Sequence, residues 1–257
     1  MELIDTHCHL TFGQLAGDIK AILDRSIAAG VNNWITVGTD PQQNQKVIEL
    51  TDKFKNMYAA VGIHPHEAKE VTAETLAELK ELAQNQKVVA LGETGLDFHY
   101  NFSSPSDQKR AFAAHLKIAK ELNLPVIIHC REAFDETMEI LKQHARGIKG
   151  VVFHCFSGSA EQARIILDYG YYISFTGVVT FKNAETIRKA AKTVPIDRLM
   201  LETDCPYMSP EPMRKQKINE PALMIHTARY LAELKKMDLN DFALAVTATS
   251  KSFFNIP

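Results

Sequence analysis

Two histidines, His7 and His9, follow directly on the apolar pair Leu3-Ile4. On a strand, side chains two residues apart project to the same side. The two imidazoles are therefore expected to point together, with Cys8 turned the other way. Two imidazoles side by side make half of a metal site. The pattern is short enough to arise by chance, but four later apolar runs also end in a residue of ligand type. Residues 88–92 precede Glu93, 126–128 precede His129, 151–153 precede His154, and 199–201 precede Glu202-Thr203-Asp204. One metal site explains these five arrangements more simply than five accidents.

Sorted by chemistry, the candidates are four imidazoles (His7, His9, His129 and His154) and two carboxylates (Glu93 and Asp204). One divalent ion with an open position needs three protein ligands. Six suffice for two ions if one carboxylate bridges, and Glu93 is the expected bridge. Paired cations about 3.5–4 Å apart clamp the attacking and leaving oxygens of a displacement and bring the pKa of a bound water down to about 7. Asp204, able to bind metal and to take a proton from the attacking water, is the expected general base. Nitrogen and oxygen ligands without thiolate suit zinc, manganese, nickel or magnesium, and the sequence does not choose among them.

Several residues stand close to this set. Arg131, two past His129, either meets an anionic oxygen with its planar fork or pairs with Asp135. His64 and His66 end the third apolar run, as substrate contacts, as a proton carrier, or as plain loop residues. Asp97, four after Glu93, is placed to orient a ligand histidine through its other nitrogen. Glu202 is expected to point into the same mouth, partnered by a ligand histidine or Arg131. Arg214, Lys215 and Lys217 form either a solvated charged loop or a basic lip that contacts phosphate. Tyr100, Phe102 and Phe181 are loop aromatics that could stack bases.

The elements that must carry these residues alternate along the chain. Strands are expected at about 2–6, 34–37, 57–63, 88–92, 125–128, 151–153, 171–175 and 198–202. Amphipathic helices lie between them. Ile19, Ile22, Leu23 and Ile27 mark the first, ended by Gly30. Asp40-Pro41 opens the second, and Leu76, Leu79 and Leu82 mark the third. A loop from Leu96 to Ser106 precedes a helix carrying Phe112, Leu116, Ala119 and Leu122. Eight strand–helix units of about 30 residues predict parallel strands joined by helical crossovers, a single (β/α)₈ TIM barrel over residues 1–257 with its site at the C-terminal strand ends. An open doubly wound sheet is the competing architecture. It fits less well because the first turn lacks a GxGxxG motif and the ligand-type residues fall on the first, fourth, fifth, sixth and eighth strands.

The chain has 257 residues, 46% hydrophobic and 23% charged, with a formal net charge of −2. That is the composition of a soluble globular protein, without a global positive field to gather nucleic acid. No apolar run approaches the roughly 20 residues of a membrane span, and a strand starting at the second residue leaves no room for a signal peptide. A cytoplasmic protein without membrane partners, monomeric or weakly oligomeric, is expected. Cys8, Cys130, Cys155 and Cys205 each follow a ligand-type residue, which predicts small buried apolar side chains facing away from the site.

The blocks Ile4-Asp5-Thr6-His7-Cys8-His9, Gly62-Ile63-His64-Pro65-His66 and Gly92-Glu93-Thr94-Gly95-Leu96-Asp97 resemble the TatD family of metal-dependent deoxyribonucleases. So do 125–131, His154-Cys155-Phe156-Ser157-Gly158, 201–206 and Asn219-Glu220-Pro221. The resemblance implies an amidohydrolase-like barrel with His7, His9 and Asp204 on one ion, His129 and His154 on the other, and Glu93 between them. It also implies hydrolysis of DNA phosphodiesters, commonly exonucleolytic from the 3′ end and magnesium-dependent. Two places depart from the family's pattern. The basic run before Asn219 reads Met213-Arg214-Lys215-Gln216-Lys217-Ile218, and Thr249 and Ser252 replace an asparagine and an arginine near the end. An amide or ester hydrolase using the same metal clamp is the alternative enzyme, and a binding protein with an inert metal site the non-enzymatic one.

Overall fold

The computed structural model describes residues 1–100 and 102–257; Asn101, in the loop expected from Leu96 to Ser106, lies outside them. Eight strands alternate with helices: β1 (Leu3–Cys8), α1 (Ile19–Ala28), β2 (Val31–Val37), α2 (Pro41–Thr51), β3 (Met57–Val61), α3 (Ala73–Leu82), β4 (Val88–Asp97) and α4 (Pro105–Leu122). They continue with β5 (Val126–Arg131), α5 (Phe134–His144), β6 (Val151–Phe153), α6 (Ala160–Asp168), β7 (Tyr172–Phe175), α7 (Glu185–Thr193) and β8 (Leu199–Leu201), then α8 (Met224–Lys235) and α9 (Leu239–Phe254). By its internal contacts the chain forms two compact units, one of residues 37–154, the other of 1–36 with 155–257.

In the unit of residues 37–154, β3 pairs with β4, β4 with β5 and β5 with β6, all parallel. Strand β4 runs well past the expected end at residue 92, so Glu93 and Asp97 lie inside the strand instead of after it. It stays paired with β5 as Thr94–Ile128, Gly95–His129 and Asp97–Arg131 after a register shift beyond Leu91. Glycine makes this possible. Gly92 and Gly95 have φ of 142° and 140°, and a Cβ on Gly95 would strike the His129 carbonyl oxygen. Neither spacing nor apolar pattern reports such an extension, because residues 93–97 are not an apolar run.

Helix α4 opens at Ser104, whose hydroxyl accepts from the Asp107 amide, with Pro105 in the first turn. Its buried face is Gln108, Ala111, Phe112, His115, Leu116 and Ala119, the stripe expected of a helix on a sheet. Two of these are polar. His115 is fully buried, its Nε2 accepting from the Ile63 amide at 3.0 Å and its Nδ1 donating to the Ala111 carbonyl at 2.7 Å. It thereby fixes the backbone just before His64.

In the other unit β1 pairs with β2 and β7 with β8, again parallel. The first and last strands also meet. Thr6 Oγ1 donates to the Leu201 carbonyl, the Asp204 amide to the His7 carbonyl and the His9 amide to the Cys205 carbonyl. A closed ring needs this seam and an open doubly wound sheet lacks it. Helix α9 covers β1 and β8 with Phe242, Val246 and Phe253 buried. Thr249, at the place of the family's asparagine, bonds to the Ile196 and Ala245 carbonyls. On α1, Ile22 and Leu23 are buried, but Ile27, expected in the same stripe, is 50% exposed. The helix ends at Ala28, and Ile27 in its last turn rotates off the inner face.

Burial holds the His115 imidazole neutral, with its pKa pushed down to about 4 from an ordinary 6.5, only partly offset by the bond to Ala111. As pH falls, the unfolded chain takes up that proton first. The stabilisation is complete above about pH 6.5, is lost between 6.5 and 4, and changes no further below that range. Urea unfolding across this range should show the stability advantage of wild type over His115→Gln shrinking by roughly 2–3 kcal/mol. A constant difference would refute the neutral-histidine assignment.

Candidate metal centre

In the unit of residues 37–154, four histidines and two acids cluster at the ends of β3, β4, β5 and β6. Glu93 Oε1 lies 2.7 Å from His129 Nδ1, 2.7 Å from His154 Nε2 and 3.5 Å from His64 Nε2. His129 Nδ1 is 3.3 Å from His64 Nε2 and 3.5 Å from His154 Nε2. His64, read from sequence as a neighbour of the site, thus reaches the same atoms as the predicted ligands. His66 stands back from them, with Nε2 3.0 Å from Asp97 Oδ2.

Asp97 organises this group. Its Oδ2 is 3.0 Å from His129 Nε2, the orienting contact expected of it, and also takes His66. Its Oδ1 accepts from the amides of His99 and Tyr100 at 3.0 Å each. Gln108 on α4 closes on the Asp97 backbone from both sides, its Oε1 accepting from the amide and its Nε2 donating to the carbonyl. Sequence reasoning passed over Gln108; a polar residue in the apolar stripe of α4 was the available signal.

The charges follow from this packing. Burial alone would raise the Glu93 pKa, but His154, His64 and His129 together hold it well below the usual carboxylate range. Burial opposes ionisation of Asp97 too, and the bonds from His129 and Tyr100 outweigh it, so its pKa also falls. Burial keeps the His64 imidazole well below its ordinary value despite Glu93. In His129 burial is outweighed by Asp97 and Glu93, and its pKa rises.

The second cluster lies in the other unit, where β1 and β8 end. His7 Nε2 and His9 Nε2 are 3.2 Å apart, as strand alternation predicts, and Asp204 Oδ1 is 3.3 Å from His9 Nε2 and 3.8 Å from His7 Nε2. Asp204 has φ of 53°, a left-handed conformation that aspartate tolerates better than most residues. Its neighbour Thr203 is held by Asp5, which sequence reasoning missed. Asp5 Oδ1 accepts from the Thr203 amide at 2.9 Å and Oδ2 from the Thr203 hydroxyl at 2.5 Å. Burial pushes the Asp5 pKa up to about 7, against the lowering effect of those bonds. Glu202 is buried, its Oε1 accepting from the Cys155 amide at 2.6 Å, and its carboxylate lies within 4.8 Å of a ring nitrogen of His7, one of the ligand histidines expected beside it.

Both clusters suit a cation. Ligand atoms placed tetrahedrally about 2.1 Å from one ion are about 3.4 Å from each other. The nitrogen–nitrogen separations of 3.2–3.5 Å and the 3.3–3.8 Å separations to Asp204 fall around that value. A positive ion between imidazole nitrogens that face one another across such a gap would hold them favourably.

The remaining candidates lie further out. Arg131 is exposed, its guanidinium over the Tyr100 ring at 4.6 Å instead of on Asp135. Arg214 covers the half-buried Phe181 at 3.8 Å. Lys215 and Lys217 are exposed, and Lys217 lines a surface cavity of about 550 Å³ beside Arg25 and Glu220. Those two form a bidentate pair at 2.8 and 2.6 Å. Asn219 is buried and donates to the carbonyls of Thr203 and Tyr207, tying down the loop after β8. Cys8 and Cys205 are buried, the Cys8 thiol donating to the Ile35 carbonyl at 3.3 Å, whereas Cys130 and Cys155, expected to be buried, are only half so.

Comparison with solved structures agrees with the strand seam. A TatD homologue from Escherichia coli K12, YJJV, superposes with a TM-score of 0.93 at 33% identity, covering 99% of this chain and 98% of that one. A TatD family hydrolase from Entamoeba histolytica gives 0.90 at 26% identity, covering 98% of each. The fold is the (β/α)₈ TIM barrel, with eight parallel strands and alternating helices. Among sequence relatives, the metal-dependent hydrolase YabD of Bacillus subtilis, itself uncharacterized, is 41% identical over 99% of both chains. A protein of Escherichia fergusonii named 3′-5′ ssDNA/RNA exonuclease TatD is 35% identical, also over 99% of both. Barrel and clusters together define a metal-dependent hydrolase. The chain belongs to the TatD related DNase family, whose model matches residues 4–255. Among the described residues no helix is long and apolar enough to cross a membrane.

Asp97 makes one contact set that amide chemistry cannot reproduce, because an asparagine has a single acceptor oxygen where two carboxylate oxygens now accept. Asp97→Asn should therefore bind zinc or manganese about 10- to 100-fold more weakly in competition with a chromophoric chelator, with an unchanged far-ultraviolet circular dichroism spectrum. Undiminished affinity would mean that Asp97 does not orient His129 for a metal.

Proposed function

We propose that the protein is a deoxyribonuclease that removes nucleotides from the 3′ end of single-stranded DNA, using two divalent ions. In this reading His7, His9 and Asp204 would hold one ion, His129 and His154 would hold the other, and Glu93 would be a carboxylate ligand. The observation that carries it is the separation of ligand atoms in each cluster, which suits a cation. The exonuclease name of the Escherichia fergusonii relative supports the choice of substrate. Magnesium, manganese, zinc and nickel all remain compatible with nitrogen and oxygen ligands. Residues 1–257 act as a single catalytic domain, in the cytoplasm, as a monomer or weak oligomer.

When bound, such ions polarise phosphoryl oxygens and acidify water. The protein's own groups do the rest. Asp204, with 12% of its side chain exposed, takes the proton from the attacking water. Asp97 keeps the His129 ring in one orientation, which fixes its reactive nitrogen toward Glu93. Arg131 is exposed beside the cluster and offers a planar fork to a phosphate oxygen. His64 and His66 contact the substrate close to the bond that breaks, and Lys215 and Lys217 hold its backbone further away.

The test uses protein stripped with chelator, a 5′-labelled single-stranded oligonucleotide and added magnesium, manganese or zinc. Metal-restored cleavage in a ladder from the 3′ end is expected, with none from His129→Ala. Asp204→Asn should keep the fold and lose activity by about 10²- to 10⁴-fold. Two bound ions per chain without cleavage would discard DNA as the substrate and send the search to ester and amide substrates.

A further inference from the structure

Two aromatic rings stand in the open next to the histidine cluster of residues 37–154. Tyr100 is 48% exposed and Phe102 58% exposed, in a protein that buries Phe112, Phe153, Phe175 and Phe242 almost completely. Their planes are nearly parallel, 7° apart, with centroids 5.6 Å from each other. Single exposed rings are ordinary; two side by side make an apolar face next to the cluster. They are not loosely placed. His66 meets both edge-on, at 5.5 Å for Tyr100 and 4.8 Å for Phe102. His99 meets Tyr100 at 4.6 Å, and is itself anchored to Glu132 at 2.7 Å. The Tyr100 amide is held by Asp97 Oδ1, whose other oxygen faces His129 and His66. The Tyr100 backbone is therefore tied to a carboxylate that also orients a candidate metal ligand, and Phe102 packs on Tyr100 and His66.

Arg131 adds a charge to the same feature, its guanidinium 4.6 Å from the centre of the Tyr100 ring. A flat apolar surface beside an exposed cation suits a ligand that is planar at one end and anionic at the other. The geometry points to a nucleobase-stacking subsite, with Phe102 and Tyr100 taking a base of a single strand and Arg131 the adjoining phosphate. This rests on the nuclease reading above and goes beyond it by naming where one base of the substrate sits. Stacking has no hydrogen-bond code, since every base offers a π face, so the subsite gives preference for unpaired strands with little preference among sequences. A paired base is already stacked on its neighbours and cannot be presented to the rings. Phe102, the more exposed ring, is the outer face on which the base lands; Tyr100 is fixed beneath the cation.

The test deletes the interaction from both sides. Metal-loaded wild type, Phe102→Ala, Tyr100→Ala and Phe102→Trp are compared on single-stranded oligonucleotides in which an abasic residue replaces each of the last four 3′ nucleotides in turn. At one position the abasic change should raise the wild-type KM by about 5- to 150-fold. Phe102→Ala should raise it by a similar factor on the intact strand, and the two changes together should cost no more than either alone. Phe102→Trp, which keeps a ring, should restore the wild-type value. Additive penalties at all four positions, or an unchanged KM in both alanine variants while wild type cleaves, would overturn the subsite and leave the nuclease standing. If wild type neither cleaves nor shifts the anisotropy of a labelled single strand with metal bound, the nuclease reading fails and the subsite with it.

Discussion

A single buried carboxylate, Asp97, joins three layers of the unit formed by residues 37–154. One oxygen accepts from two backbone amides and fixes the start of the loop after β4. The other faces His66 and His129 and so fixes the rings near Glu93. Behind it, Gln108 of α4 clamps the Asp97 backbone. A carboxylate in such a place loses solvation, and only a full set of donors makes ionisation favourable there. The orientation of the imidazoles is thus inherited from the helix layer through hydrogen bonds, because each ring would otherwise be free to turn about two side-chain torsions.

The unit containing β1 and β8 solves the same problem with Asp5. This side chain accepts from the Thr203 amide and hydroxyl and sets the turn in which Asp204 takes its left-handed backbone conformation. Asp5 has fewer charged donors around it than Asp97, and the two respond in opposite directions: burial dominates for Asp5 and raises its pKa, whereas imidazole and amide donors dominate for Asp97 and lower it. Asp5 is a buried hydrogen-bond acceptor that joins two strands; Asp97 is an ion held among histidines.

Glycine supplies the remaining constraint. Between Leu91 and Asp97 the fourth strand carries two residues that only glycine accommodates, since a side chain at 92 would meet Ile127 and one at 95 the backbone of His129. Close approach there keeps β4 paired with β5 beyond the apolar run. Asp97 consequently sits on paired backbone and Glu93 directly before that paired stretch in the same strand, and a site on strand holds its geometry better than one on a free loop. The aromatic pair Tyr100 and Phe102 begins beyond that strand.

The apolar runs alone specify eight parallel strands with alternating helices, because strand and helix periods are local properties and the number of repeats admits few architectures. That His7 and His9 face one way is equally local, a consequence of the two-residue repeat of a strand. The ligand-type residues after each run were visible for the same reason. Contacts between elements distant in sequence were not. The reach of β4 to Asp97 depends on packing against β5, and the sharing of Asp97 between His66 and His129 depends on where β3 and β5 place their ends. Gln108, His115 and Asp5 read as polar interruptions of apolar faces until the fold supplied the amides and hydroxyl they bind. A sequence specifies which groups need a partner; only the tertiary structure decides which partner stands within 3 Å, because that distance is set by the packing of whole strands and helices.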